Sequence, residues 1–250
     1  MRRLFLRGIR KSLPADFDMR HFSPDYNPWA QRLCAVPNND LFKAIKSGKV
    51  SIETEHIETF TETGIHLKSG KKLEADIIVT ATGLNLQMLG GIQLYVDGAL
   101  TPISQKLTYK AVLIEDVPNM SWIFGYTNAP WTLKADIAAR YICRLIKHMD
   151  KHDYQVCLAT DTEGCAETTS VMSALNSGYV QRGNHILPRQ GNKYPWRLLN
   201  NYEEDSKILL NNPIEDPFLF FDLLPEPKNN RADPVHNEIQ FAGYDIQDTD

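Results

Sequence analysis

The sequence predicts an α/β protein, because it combines one strongly apolar strand with one clear amphipathic helix. The strand is predicted at 75–82, where Ile77, Ile78 and Val79 form a continuous β-branched run. Such a run is typical of a central strand covered on both faces. The helix is predicted over 131–149, where apolar residues recur at helical spacing.

Shorter elements are predicted around these two. We expect a helix from Asp40 to Ser47, strands at 49–55 and 119–125, and two hairpins, 57–63 with 65–68 and 93–96 with 99–103. The second hairpin turns at Asp97-Gly98, a pair that favours the positive φ angles of a tight turn. Residues after about 225 are polar and rich in proline and asparagine, which predicts disorder.

Composition limits the classes of function. The 250 residues carry a net charge of −4, so nucleic acid is not expected as the general partner. No apolar stretch reaches the roughly 20 residues of a membrane span. The four cysteines, Cys34, Cys143, Cys157 and Cys165, form no Cys-x-x-Cys pair, which favours a reduced, cytoplasmic compartment. Cys143 lies in an apolar helical run and is expected in the core.

The first eleven residues and the pair His148 and His152 can each be interpreted in two ways. Arg2, Arg3 and Arg7 with their apolar neighbours form a basic amphipathic helix, either a helix of a larger fold or a membrane-surface anchor. His148 and His152 are four residues apart, but they lie beside acidic residues near a predicted helix end. We interpret them as a solvated terminus, and no metal site is predicted.

The predicted strand at 75–82 ends in small residues. Thr82 and Gly83 would let a ligand or another backbone approach the carboxyl end of the strand, where open α/β sheets bind ligands. This favours a nucleotide-binding protein. However, the chain contains no Gly-x-Gly, so the phosphate-binding loop expected with such a strand is missing.

Four ordered blocks of sequence carry a family resemblance. The segments 26–42, 75–87, 118–136 and 194–198 resemble the flavin-containing monooxygenases, most closely those of the bacterial Baeyer–Villiger type. In that family the glycine-rich loops for FAD and NADPH lie upstream of these blocks. The resemblance implies an incomplete two-dinucleotide-binding-domain (Rossmann-like) flavoprotein, its carboxyl-terminal half, with small β-hairpins and an irregular tail.

The resemblance also implies a domain order. Residues 1–83 would end the NADPH-binding domain, and residues 84–150 would close the FAD-binding domain. Residues 151–225 would form a carboxyl-terminal extension, followed by a disordered tail at 226–250.

The implied chemistry uses FAD, NADPH and O₂ to oxygenate ketones, or sulfur and nitrogen centres, of small organic molecules through a peroxyflavin. Because the intermediate is negatively charged and sensitive to water, the site needs a fixed cation and a dry pocket. The resemblance assigns the cation to Arg32. The alternative is a surface arginine that pairs with Asp25 or Asp40.

The predicted cofactor contacts fall in three places. Thr82, Gly83 and Leu84 would cross between the two nucleotide domains, or form only a tight turn. A loop that leads into a helix would face the flavin through Thr127, Asn128, Trp131, Thr132 and Leu133. The alternative is an ordinary helix start that Thr127 or Asn128 caps. Trp196 would belong to a segment that closes over NADPH, or pack the tail onto the body.

As an isolated chain, the protein is predicted to be inactive, with the missing amino-terminal half as its complementing partner. Such a chain should also leave apolar faces exposed on the strand at 75–82 and the helix at 131–149. Two alternatives remain open. One is a fragment of another two-dinucleotide-domain flavoprotein reductase, and the other is a non-catalytic remnant that binds a partner.

Overall fold

The computed structural model describes residues 1–31, 34 and 36–223. The chain divides into two compact units, Met1–Leu84 and Asn85–Asp250, here called the amino-terminal and carboxyl-terminal units. The combination of helices and strands agrees with the predicted α/β class. Arg32 and the predicted disordered tail at 226–250 lie outside the described residues.

The amino-terminal unit has two helices and one small sheet. The helices are α1 (Arg2–Lys11) and α2 (Asp40–Lys46), with 3₁₀ turns at Met19–Phe22 and Pro37–Asn39. The antiparallel sheet has the order β1 (Ile57–Thr61), β2 (Gly64–Leu67) and β3 (Lys72–Glu74). Only glycine can occupy position 64 without a clash, because a Cβ there would lie 1.9 Å from the carbonyl oxygen of Leu73. The predicted first hairpin and both helices are therefore confirmed.

The predicted buried strand at 75–82 is wrong as a strand. The segment forms no sheet pairing with the described residues, and Ile77 and Val79 are 83% and 82% exposed. A buried strand needs neighbours that accept its main-chain hydrogen bonds and cover its side chains. The described residues supply no such neighbouring strand. The apolar side chains of this segment are therefore exposed, as the sequence predicted for an incomplete fold. The strand predicted at 49–55 is absent too.

The carboxyl-terminal unit has longer helices and short antiparallel strand pairs. In chain order its elements are β4 (Tyr95–Val96), β5 (Ala99–Leu100), β6 (Thr108–Tyr109), β7 (Leu113–Ile114), α3 (Trp131–Lys151), β8 (Val156–Ala159), β9 (Ala166–Ser170), α4 (Gly178–Gly183), β10 (Arg189–Gly191), α5 (Tyr202–Asn211) and β11 (Leu219–Asp222). Short 3₁₀ turns lie at Met88–Gly91, Ile103–Gln105 and Asn184–Ile186. The pairs are β4–β5, β6–β7, β8–β11 and β9–β10.

The hairpin of β4 and β5 confirms the turn predicted from Asp97-Gly98. These residues have φ angles of 50° and 80°, both in the left-handed region. All strand pairs among the described residues are antiparallel. The Rossmann-like part of the predicted fold, which needs a parallel sheet, therefore stays a prediction.

Two apolar clusters form the core of the carboxyl-terminal unit. The first packs one face of α3, including Ile137, Tyr141 and Leu145, against α5 and the strands around it. The second contains Trp122 and Phe124, although the strand expected at 119–125 makes only a single bridge, from Ser121 to Leu113. Because α3 buries its apolar face, the apolar exposure expected on this helix is limited to a few side chains, such as Ile146.

Cys143 is not a core residue. It is exposed on α3, whereas Cys157 and Cys165 are buried. Cys143 lies two positions from Tyr141 and two from Leu145. Because a helix turns about 100° per residue, Cys143 projects from the face opposite the one that these two residues share. Because the residues around Cys143 are apolar, the sequence predicted burial for this position as well. In the described ranges, no helix has the length and apolar character to cross a membrane.

Candidate functional site

The start of α3 is the predicted flavin contact, and it is exposed. Its N-cap is Pro130, which makes no side-chain cap hydrogen bond. Trp131 and Leu133 are 45% and 37% exposed, and Thr132 is exposed as well. Free N–H groups at a helix start carry partial positive charge. This end of the helix can therefore bind a partially negative atom beside a flat apolar group.

The alternative in which Thr127 or Asn128 caps this helix is wrong. The main-chain N–H and the hydroxyl of Thr127 both donate to Oδ1 of Asn200, at 3.2 Å. The side-chain amide of Asn128 donates to the carbonyl oxygen of Asn200 at 2.9 Å. These side chains therefore hold the loop onto residue 200 and leave the helix start open.

Trp131 is positioned by a glycine. Its ring lies against Gly125, where an added Cβ would come within 2.3 Å of the indole. The ring also packs against Phe124 at a centroid distance of 5.3 Å. Because Gly125 has no side chain, the indole can pack against the backbone at this position while 45% of the residue stays exposed.

A buried polar triad lies behind the helix start. Lys134 is 2% exposed, and its Nζ donates to Oδ2 of Asp205 at 3.0 Å. The same oxygen accepts from the hydroxyl of Tyr126 at 2.8 Å. Burial lowers the pKa of Lys134, and Asp205 opposes this shift. Burial and the hydrogen bond to Asp205 raise the pKa of Tyr126.

The pocket beside this triad is too small for a substrate. Its volume is about 10 Å³, and its lining includes Lys134, Asp205 and Arg197. This is roughly the space that one water molecule needs. The triad therefore supports the helix start from behind and does not itself form a substrate cavity.

Two larger grooves lie elsewhere in the carboxyl-terminal unit. One, of about 360 Å³, is lined by Leu86, Met88, Leu94, Ile103 and neighbouring residues. The other, of about 280 Å³, is lined by Leu113, Val117, Met120, Ile142, Met149 and their neighbours. Neither contains a residue predicted to bind a cofactor.

A second polar network surrounds Asp216, and the sequence did not predict either network. Asp216 accepts hydrogen bonds from the hydroxyl of Tyr109 and, at 2.8 Å, from Nζ of Lys110. Burial lowers the pKa of Lys110 against the effect of Asp216. Burial raises the pKa of Tyr109, and Tyr141 and Asp216 add to the shift. This network fixes the loop between α5 and β11.

Trp196 is fully buried in the first apolar cluster. Its ring packs edge-on against Tyr109 and Phe218, at 5.6 and 5.8 Å between centroids. Gly191 makes room for it, since a Cβ there would lie 2.6 Å from Cβ of Trp196. This position agrees with the alternative in which Trp196 packs the tail onto the body. Contact with a cofactor would require this segment to move, and it stays a prediction.

Thr82, Gly83 and Leu84 end the amino-terminal unit in an exposed, irregular segment. Gly83 has a φ of 96°, which L side chains rarely adopt, and a Cβ there would meet nothing within 4 Å. The open space agrees with close approach of a ligand or of another chain segment. Their predicted cofactor contact is not tested by the fold, and neither is the role of Arg32.

Over most of its length the chain is similar to proteins that are named FAD-containing monooxygenases, which confirms the resemblance carried by the four sequence blocks. It is 57% identical over 221 residues to the protein named FAD-containing monooxygenase MymA of Mycobacterium tuberculosis, covering 88% of this chain and 45% of that one. It is 49% identical over 231 residues to the FAD-binding monooxygenase AlmA of an Acinetobacter species, covering 92% and 46%.

A third relative is the FAD-containing monooxygenase EthA of Mycobacterium tuberculosis, 46% identical over 228 residues and covering 91% and 46% of the two chains. The chain thus spans about half the length of the curated relatives it matches. No family model matches the chain. No solved structure matches it either.

Proposed function

We propose that the chain is the carboxyl-terminal part of an FAD- and NADPH-dependent monooxygenase. Its substrates would be ketones, or sulfur and nitrogen centres, of small organic molecules, with O₂ as co-substrate. The observation that carries the proposal is the identity of 46–57% to monooxygenases that are named for FAD. The open start of α3 supports it, because it offers N–H groups and an indole where the family resemblance expects the flavin.

The residues present suit a flavin edge. Bound FAD, once reduced by NADPH, would supply the activation of O₂. The N–H group of Thr132 would receive a partially negative edge of the ring system, and Trp131 and Leu133 would cover an apolar part of it. Thr82, Gly83 and Leu84 would allow the backbone to approach a cofactor. These roles rest on the family resemblance together with the exposure of both segments.

Arg32 would supply the fixed cation. A guanidinium stays charged at any physiological pH and can donate two parallel hydrogen bonds. It would stabilise negative charge near the flavin or hold the nicotinamide amide of NADPH. Trp196 would contribute to closure over NADPH only if its segment leaves the core.

We further propose that this chain is inactive alone and works with an amino-terminal half. The sequence has no Gly-x-Gly loop, the element that supplies most of the affinity for dinucleotide phosphates. The exposed run of Ile77, Ile78 and Val79 fits a strand whose sheet lies on another segment. We place the protein in the cytoplasm, and a membrane-surface role for α1 remains a secondary proposal.

One alternative has specific support. A non-catalytic remnant that binds a partner would also expose Ile77 and Val79. The other alternative, a fragment of a flavoprotein reductase, has no such support, because the sequence has no Cys-x-x-Cys and the named relatives are monooxygenases.

The decisive experiment compares the purified chain alone with the chain co-expressed with the amino-terminal half of MymA. We expect no flavin absorbance from the chain alone. From the pair we expect retained FAD and NADPH-dependent oxygenation of a model ketone or sulfide. Stoichiometric FAD on the isolated chain would overturn the half-protein proposal. Retained FAD without any product would favour the remnant.

A further inference from the structure

Two histidines and a glutamate meet at the far end of α3, away from the predicted flavin contact. His148 lies in the last turn of the helix, and His152 is its C-cap residue. Glu215 comes from the loop between α5 and β11. One ligand atom from each of the three side chains lies within 4.8 Å of the others.

The spacing along the helix suits a shared ion. Residues four apart on a helix project from the same face, so both imidazoles point to one side. The ring centroids of His148 and His152 are 4.7 Å apart. The backbone of His152 is held by its N–H, which donates to the carbonyl oxygen of Met149 at 3.1 Å.

The contact between His148 and Glu215 has the dimensions of a tetrahedral edge. Nε2 of His148 lies 3.3 Å from Oε1 of Glu215. Two ligands at about 2.0–2.1 Å from a tetrahedral zinc ion are roughly 3.3–3.4 Å apart. This nitrogen is buried and makes no aligned hydrogen bond within the described part of the chain. A buried nitrogen without a well-aligned hydrogen bond is costly, and a metal ion would satisfy it.

Surrounding contacts hold the ligands in place. Phe221 packs against His148 at 5.0 Å, and Tyr154 stacks on His152 at 5.6 Å. The loop that carries Glu215 is fixed by its neighbour Asp216, which accepts from Lys110 and from the N–H of Phe218. Only His152 and Glu215 are exposed, so small side-chain rotations can complete the site.

We propose that His148, His152 and Glu215 bind a zinc ion. Two imidazoles and one carboxylate are ligands that zinc prefers, and three protein ligands leave a fourth position for water. The ion would join the end of α3 to the loop between α5 and β11. This site does not depend on the flavin chemistry. It is an alternative to the interpretation of His148 and His152 as a solvated helix terminus.

The test titrates the full chain with zinc chloride alone, after chelator treatment, by isothermal calorimetry. Because exposed thiols also bind zinc, Cys34 and Cys143 are replaced by serine in every sample. We expect one saturable site per chain. His152→Gln and Glu215→Gln should each weaken binding by about tenfold or more. The matched controls His185→Gln and Glu203→Gln, both exposed, should bind within about twofold of the parent.

Two further readouts keep the test independent of folding defects. Circular dichroism of each variant verifies the fold before titration. Cobalt in place of zinc should give visible absorption bands of a tetrahedral site in the parent and lose them in Glu215→Gln. Absence of saturable binding in the parent, or binding by His152→Gln and Glu215→Gln as tight as that of the parent, would overturn the proposal and leave His148 and Glu215 as a side-chain contact without a metal.

Discussion

The ammonium of Lys134 and the carboxylate of Asp205 lie 3.0 Å apart although they are 71 residues apart in the sequence. They join α3 to α5 just behind the exposed start of α3. Both side chains are almost fully buried, at 2% and 10% exposure. A buried pair of this kind depends on both partners, because either charge alone would stay desolvated without compensation.

Replacing Asp205 by Asn should therefore destabilise the carboxyl-terminal unit strongly. The charge of Lys134 would lose its partner, and we expect the free energy of unfolding to fall by roughly 3–5 kcal/mol. Urea unfolding followed by circular dichroism measures this change. The exposed neighbour Glu204→Gln serves as the control and should change stability little.

The double variant Lys134→Met with Asp205→Leu completes the same experiment. It removes both charges and should recover most of the stability lost in Asp205→Asn. If Asp205→Asn alone were as stable as the parent, the pair would contribute nothing, and our account of the triad would be wrong.

Gly125→Ala should disturb the start of α3. The new Cβ would lie 2.3 Å from the ring of Trp131, so the indole must move. We expect a loss of about 1–3 kcal/mol in unfolding free energy and a shifted indole N–H signal of Trp131 in NMR spectra. Gly8→Ala is a matched control, since a Cβ at that helical position meets nothing within 4 Å. An unmoved Trp131 signal in Gly125→Ala would contradict the packing.

Arg32→Ala tests the proposed cation in the chain paired with an amino-terminal half. If Arg32 stabilises negative charge beside the flavin, the variant should keep FAD absorbance and lose product formation by about 100-fold or more. Arg7→Ala, an exposed arginine of α1, should retain full activity. Normal turnover by Arg32→Ala would remove the assignment.

Cysteine reactivity should follow burial. Burial raises the pKa of the Cys157 thiol from its ordinary value of 9.0 to about 12, whereas Cys143 is exposed. Iodoacetamide at pH 8 should therefore modify Cys143 in the folded chain and reach Cys157 only after denaturant is added. Mass spectrometry of peptides distinguishes the two. Rapid alkylation of Cys157 in the native chain would contradict its buried position.

The same thiol predicts a loss of stability at high pH. The unfolded thiol ionises near pH 9, whereas the folded thiol holds its proton to about pH 12. The folded state therefore binds more protons between these values, and its stability falls as the pH rises through that window. Unfolding free energies at pH 8 and above 10 should show a smaller decrease in Cys157→Ala than in the parent.

Local chemistry made part of the fold predictable. The turn at Asp97-Gly98 was predicted because the preference for positive φ is a property of those two residues. The α3 helix was predicted because its apolar face repeats over many turns. By contrast, the strand at 75–82 required sheet neighbours, and its own β-branched residues could not show whether the chain supplies them.

The candidate site was predictable only in part. The beginning of a helix at Trp131 was predicted from the sequence, but the attachment of the preceding loop to Asn200 was not. Lys134 lies on the apolar face of α3, which was a signal for a buried acidic partner, yet nothing in the sequence singles out Asp205 among the acidic residues. Glu215 likewise meets His148 only through the folding of α5 against α3.

The exposed run of Ile77, Ile78 and Val79 also determines how the purified chain should behave in concentrated solution. Main-chain groups of a β-branched segment without a sheet partner can pair with the same segment of another molecule. The chain should therefore aggregate as its concentration rises, and a lysine at position 77 or 79 should delay this. Its solubility would then depend on how soon after synthesis another polypeptide covers these three residues.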